Sequence, residues 1–274
     1  MSELSYAVQL AQKLIRCPSI TPEEAGTLDL LEAELTQLGF NCTRLAFGDG
    51  KDRIDNLYAE FGEGPAHFAF AGHVDVVPVG RVGDWQFNPF QAEICDGYLY
   101  GRGAADMKSG IAAFISAIRK WQESSQKQTK ISLIITGDEE ADAINGTSKM
   151  VDWMRQNNIR PDMCIVAEPT SQTQIGDNIR NGRRGSLSGS LIVTGQQGHV
   201  AYPHLARNPI SALMQMLAPV ASAELDGGNP YFGPSTAEVT GLSTSSNVTN
   251  VIPATASAMF NIRFNTCLLY TSPS

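Results

Sequence analysis

Three short apolar runs, HFAFAG at 67–72, ISLIIT at 131–136 and MCIVA at 163–167, are each followed within a few residues by a histidine or an acid. Between them lie stretches of helical periodicity near 107–122 and 146–157. Apolar runs of this length alternating with helices read as strands buried on both faces. The expected fold is therefore α/β, a largely parallel sheet covered by helices on both sides. In open sheets of that kind ligands bind at the C-terminal ends of the strands. Those ends are where this sequence concentrates its ionisable residues.

The N-terminal stretch MSELSYAVQLAQKLIR has an amphipathic helical pattern. A second helix is expected to begin at Thr21-Pro22-Glu23-Glu24, where a capping residue, a first-turn proline and a capping-box glutamate occur together; Leu28, Leu31, Leu35 and Leu38 then repeat at helical spacing up to a Gly39 stop. Around 175–185 the rhythm breaks. Strand-like SLSGSLIVTG, a helix near 208–221 and strands near 237–243 and 256–264 follow in the order β-α-β-β, most of a ferredoxin-like α+β unit without its last helix and strand. Residues 1–179 are expected to form one domain and 180–265 a second, incomplete one.

Composition narrows the function classes. A chain that is 42% hydrophobic with 18% charged residues is suited to a folded core. Its net charge of −8 argues against nucleic acid as a partner, because phosphate binding requires basic surface. No apolar run long enough to span a bilayer occurs, and the N-terminus lacks the apolar core of a signal peptide, so no membrane association and a cytoplasmic location are expected. The 5 cysteines lack C-x-x-C spacing, which fits reduced thiols.

His73 and Asp75, two apart at the end of an apolar run, point to the same side of a strand. A carboxylate bonded to one imidazole nitrogen presents the other to a metal. Asp106 follows the glycine-rich turn GRGAADMKSG and precedes a helix; Glu139 and Glu140 end IITGDEE; Glu168 ends CIVAEPT. Carboxylates converging on one sheet edge repel one another unless cations neutralise them. A His/Asp/Glu set suits Zn²⁺ or a similar metal, and a shared carboxylate can bridge two ions. Of the adjacent Glu139 and Glu140, one can hold a metal while the other moves a proton, a division of labour that hydrolysis requires.

The stretches GHVDVVPVG, YGRGAADMKSG, TGDEEADAINGT, AEPT, GRRGS, GQQGHVAYPHLARNP and NVIPATASAMFNIRFN resemble, in order, the dinuclear zinc amidohydrolase family of aminoacylases and related peptidases. The resemblance covers residues 1 to about 265. It implies a zinc-peptidase-like catalytic domain and a dimerisation domain, a homodimer, and two zinc ions per subunit that cobalt can replace. By the same resemblance His73 and Glu168 hold one zinc, Glu140 the second, and Asp106 bridges them. Asp75 orients His73, Glu139 is the general base and acid, and His199 reaches the partner subunit's site to stabilise an oxyanion. Arg183, Arg184 and Arg263 suit bidentate pairing with carboxylates. With Tyr202 and Asn250, which the resemblance adds, they are the expected contacts for a small-molecule amide carrying carboxylates at both ends.

The sequence departs from the family at its end. The family's last zinc ligand is a histidine in a C-terminal segment, whereas no histidine follows His204 here, and RFNTCLLYTSPS loses the resemblance from about Thr266. Residues 266–274 are expected to be a non-native tail on a truncated chain that holds one zinc tightly and turns over poorly. The alternative from another class is a non-catalytic metal-binding or dimerising protein.

Overall fold

The computed structural model describes residues 4–123, 129–180 and 182–267. The tail expected from Thr266 falls outside the described residues after Cys267. The chain divides into two compact units, Met1–Gly176 and Asp177–Ser274.

The first unit contains α1 (Tyr6–Ile15), α2 (Thr27–Gln37), β1 (Asn41–Phe47), β2 (Ile54–Phe61), β3 (Ala66–His73), the short pair β4 (Glu93–Cys95) and β5 (Tyr98–Tyr100), α3 (Ser109–Gln122), β6 (Thr129–Thr136), α4 (Thr147–Gln156) and β7 (Met163–Val166). Five of the strands form one sheet in the order β1-β2-β6-β3-β7. Alternate residues of its central strands face opposite layers, as the two-residue period of a strand requires. Leu57, Ala59, Phe70, Ile131, Leu133 and Ile135 pack with the buried faces of α1, α2 and α3. Tyr58, Ala69 and Ile134 pack on the other face against Met150 and Met154 of α4.

The sheet is mixed rather than largely parallel. β6, β3 and β7 run parallel, while β1 and β2 add antiparallel at the other edge. Neither β1 nor β2 is marked by an apolar run. β1 lies at an edge and stays half-buried, and β2 carries Asp55, Asn56 and Glu60. Asn56 is nevertheless buried, because its amide donates to the carbonyls of Leu45, Ile54 and Asn145.

Helix α2 starts at Thr27, not at Thr21. Ala25 and Gly26 have positive φ and cannot continue a helix. The preceding residues are instead drawn against the loop after β3, where Ile20 bridges Val76 and the Thr21 N–H donates to the Val76 carbonyl at 3.2 Å. Glu24 still caps the helix from outside, accepting the Leu28 N–H at 2.9 Å.

The second unit holds β8 (Gly185–Thr194), β9 (Gly198–His199), α5 (Pro209–Ala221), β10 (Thr236–Thr244), β11 (Val251–Ile252) and β12 (Thr255–Phe264). β12 lies between β10 and β8 and is antiparallel to both. This is the β-α-β-β portion of a ferredoxin-like unit. Leu213 and Leu217 of α5 pack on Leu191, Val193, Val239, Ala256 and Ala258 of that sheet. β9 and β11 form a separate two-stranded ribbon.

Gly146, just before α4, has no room for a side chain. A Cβ there would lie 2.4 Å from both the Asp138 carbonyl oxygen and Thr136 Oγ1. Gly146→Ala is expected to destabilise the first unit by about 1–3 kcal/mol through this backbone overlap. Gly83→Ala, where nothing lies within 4 Å of the added carbon, should stay within about 0.5 kcal/mol of the parent. Urea denaturation of the two variants checks the contrast.

Candidate metal centre

The parallel strands β3, β6 and β7 end side by side, and each delivers part of one cluster. His73 is the last residue of β3, Glu139 and Glu140 follow β6, and Glu168 follows β7. Asp106 arrives from the irregular turn Ala104–Lys108 ahead of α3. His73 Nε2 lies 3.0 Å from Asp106 Oδ1, 3.7 Å from Glu168 Oε1 and 3.9 Å from Glu139 Oε2. Two sets of donor atoms lie close enough to share an ion: His73 with Asp106 and Glu168, and His73 with Glu139 and Glu140.

The protonation of His73 follows from its partners. Its Nδ1 sits 2.9 Å from the backbone carbonyl oxygen of Asp75. A carbonyl only accepts, so Nδ1 carries a proton. In the neutral ring Nε2 then has a bare lone pair that faces carboxylate oxygens. Lone pairs so arranged repel unless a cation stands between them, either a second imidazole proton or a metal ion. The residues present therefore fit a metal of the N/O-binding class.

Asp75 does more than the sequence suggests. Its carboxylate, fully buried, lies 3.6 Å from His73 Nδ1 and accepts the backbone N–H groups of Glu139 at 3.1 Å and Glu140 at 3.0 Å. Asp138, which the sequence reading did not single out, is also buried and accepts from the amides of Ala143 and Asn145 at 3.1 and 3.0 Å. These two carboxylates fold the DEEADAINGT loop back on itself and fix where Glu139 and Glu140 leave β6.

Like charges shape the titration of the cluster. Burial, then the charges of Asp106 and Glu139, push Glu168 up to about 6. Burial, Asp106 and Glu139 likewise raise Glu140. Burial works against charge on His73, but its bonds to Asp75 and the nearby carboxylates outweigh it and hold the imidazole up at about 10. The centre thus stores protons that a metal must displace.

The remaining predicted residues lie in the second unit. His199, on β9, is exposed, and its Nδ1 accepts the Ala201 N–H at 3.1 Å. That bond leaves Nε2 to carry the proton of the neutral ring. Tyr202 is close by, with ring centroids 6.0 Å apart, and the Asn250 carbonyl accepts the Val200 N–H at 3.1 Å. Arg183, Arg184 and Arg263 line a separate cleft of about 490 Å³ together with Arg180, which the sequence reading missed. Tyr231 and Phe232 also line this cleft, whereas His199, Tyr202 and Asn250 do not.

The profile of peptidase family M20/M25/M40 matches residues 69–265. A succinyl-diaminopimelate desuccinylase of Rhodospirillum centenum is 52% identical over 260 residues, covering 94% of this chain and 67% of that protein. The chain spans about two thirds of the length of the curated relatives it matches. A di-peptidase of Saccharomyces cerevisiae, Dug1p, superposes with a TM-score of 0.74 at 15% identity, over 97% of this chain and 71% of its own. A dinuclear metal-binding peptidase of Bacillus subtilis from the M20 family superposes at 0.57 and 15% identity, over 96% of this chain and 65% of its own. These structural likenesses show the same fold, and the profile match and the sequence identity establish that the chain belongs to peptidase family M20/M25/M40.

Proposed function

We propose that this chain carries the chemistry of a succinyl-diaminopimelate desuccinylase, removing succinate from N-succinyl-LL-2,6-diaminopimelate to give LL-diaminopimelate for lysine synthesis. It is a metal-dependent amide hydrolase. The observation that carries this reading is the His73 nitrogen facing Asp106, Glu139 and Glu168 at three parallel strand ends, in a chain 52% identical to a desuccinylase.

In this reading His73, Asp106 and Glu168 hold one zinc, and Glu140 with Asp106 contributes to a second; cobalt is the expected substitute. Ions held there would supply Lewis acidity toward the amide carbonyl and the attacking water. Asp75 keeps the proton on His73 Nδ1 and sets the backbone of Glu139 and Glu140. Glu139 takes the proton from the attacking water and returns it to the departing amine. His199, with its proton on Nε2, is a hydrogen-bond donor for the oxyanion and serves the partner subunit of a homodimer. The cleft with Arg180, Arg183, Arg184 and Arg263 supports a substrate with carboxylates at its ends. Acetylornithine deacetylase and aminoacylase are the alternatives within the family, and the 52% identity to a desuccinylase supports the first reading.

Glu139→Gln should retain zinc and lose about 10²–10⁴-fold or more in kcat, since proton transfer is removed while size is kept. Loss of zinc instead assigns the ligand role to Glu139 and the proton to Glu140.

Calorimetric titration of the 274-residue chain with zinc should give about one tight site, because His73, Asp106 and Glu168 lie close enough to share one ion, while the proposed roles leave only Glu140 and the shared Asp106 for the other. At pH 7.5 binding should release a proton from His73, seen as an enthalpy that changes with the ionisation heat of the buffer. Affinity should fall as pH drops through about 6, where Glu168 takes up its proton. Two tight sites, or an enthalpy independent of buffer, contradict the assignment.

Mixed dimers of a Glu139→Gln subunit with a His199→Ala subunit should recover activity that neither homodimer has. No recovery in demonstrably mixed dimers places His199 in its own subunit's chemistry.

A further inference from the structure

Asp106 is the member of the metal centre least fixed by its own surroundings. Its side chain is 49% exposed, and it sits in a turn whose backbone is not helical, with φ −121° and ψ 100°. Neither burial nor a regular hydrogen-bond ladder sets the position of its carboxylate. The two residues after it are held far more firmly. Met107 is fully buried, and its sulfur accepts the His73 N–H at 3.3 Å. Lys108 is fully buried as well, and its ammonium donates to the carbonyls of Leu14 at 2.9 Å and Cys17 at 2.8 Å. Its own N–H closes the turn on the Gly103 carbonyl at 3.0 Å.

A buried ammonium is costly to desolvate, and an unbranched apolar side chain of similar length would fill the same space without that cost. The carbonyls it meets lie at the C-terminal end of α1, where the helix dipole favours a cation. The bonds are directional, so they fix the turn along the axis of α1 as well as filling the core. Met107 pins the turn to β3 and Lys108 pins it to α1, and Asp106 is carried between the centre and these two anchors.

Resting on the metal-centre reading, we infer that Lys108 is a positioning residue for the reaction: its two bonds to the end of α1 set where the Asp106 carboxylate meets His73 and the metal.

The test is cobalt(II) binding by the 274-residue chain, read by calorimetry and by the visible d–d spectrum, which reports ligand geometry. Lys108→Met keeps the bulk of the side chain and removes both donors. It is expected to weaken cobalt binding by about 10–100-fold, the range for residues that orient ligands, and to alter the spectrum. Lys108→Gln, which keeps a donor, is expected to recover part of both. Leu35→Ala, in the same core but away from the turn, is expected to lower thermal stability and leave cobalt affinity and spectrum unchanged. A folded Lys108→Met that binds cobalt as tightly as the parent with the same spectrum overturns the inference. Should Lys108→Met fail to fold, an unchanged affinity and spectrum in Lys108→Gln overturns it equally. Absence of cobalt binding in the parent removes the metal-centre reading and this inference with it, whereas equal binding by parent and variants removes the inference alone.

Discussion

The buried carboxylate of Asp75 joins the ends of two strands that are adjacent in space and distant in sequence. It accepts from the amides that follow β6, while its own backbone carbonyl takes the Nδ1 proton of the histidine that ends β3. A charged oxygen with no solvent access is tolerable only with such partners. The consequence is a single rigid corner from which His73, Glu139 and Glu140 all leave with fixed direction. Ligand geometry here is thus a property of the backbone as much as of the side chains.

That corner explains how an acidic protein gathers so many carboxylates at one point. The strand ends aim them inward, and burial together with their mutual repulsion raises the protonation of Glu168 and Glu140. A metal reverses the sign of that interaction, so the same arrangement that is unfavourable when empty of cations becomes a strong site when one is bound. The arginines of the second unit follow the opposite logic, collecting positive charge along one cleft.

How much of this was legible in the sequence depended on how locally each feature is encoded. β3, β6 and β7 are nearly unbroken apolar runs, and the acids that follow them stand out for that reason. β1 and β2 were not visible, because an edge strand needs little apolar character and β2 hides Asn56 through tertiary hydrogen bonds. Without them the sheet read as largely parallel. The start of α2 was misplaced because the capping signals at Thr21 compete with the positive φ of Ala25 and Gly26, and a bridge to Val76 decides the outcome. Asp138, Arg180 and Lys108 had no distinguishing signal. Burial of a charged side chain is settled by carbonyls and amides from remote parts of the chain, which residue type does not announce.

The clustered donors come from β3, β6 and β7 and from the turn before α3, so His73, Asp106, Glu139, Glu140 and Glu168 span nearly a hundred positions of the chain. No local segment holds more than a fragment of the site. The centre therefore forms only after the parallel pairings, which close long loops and are slow to nucleate. An ion that binds the assembled sheet and not the open chain stabilises it by mass action. A metal bound there would therefore add to the stability of the assembled sheet as well as supply its chemistry.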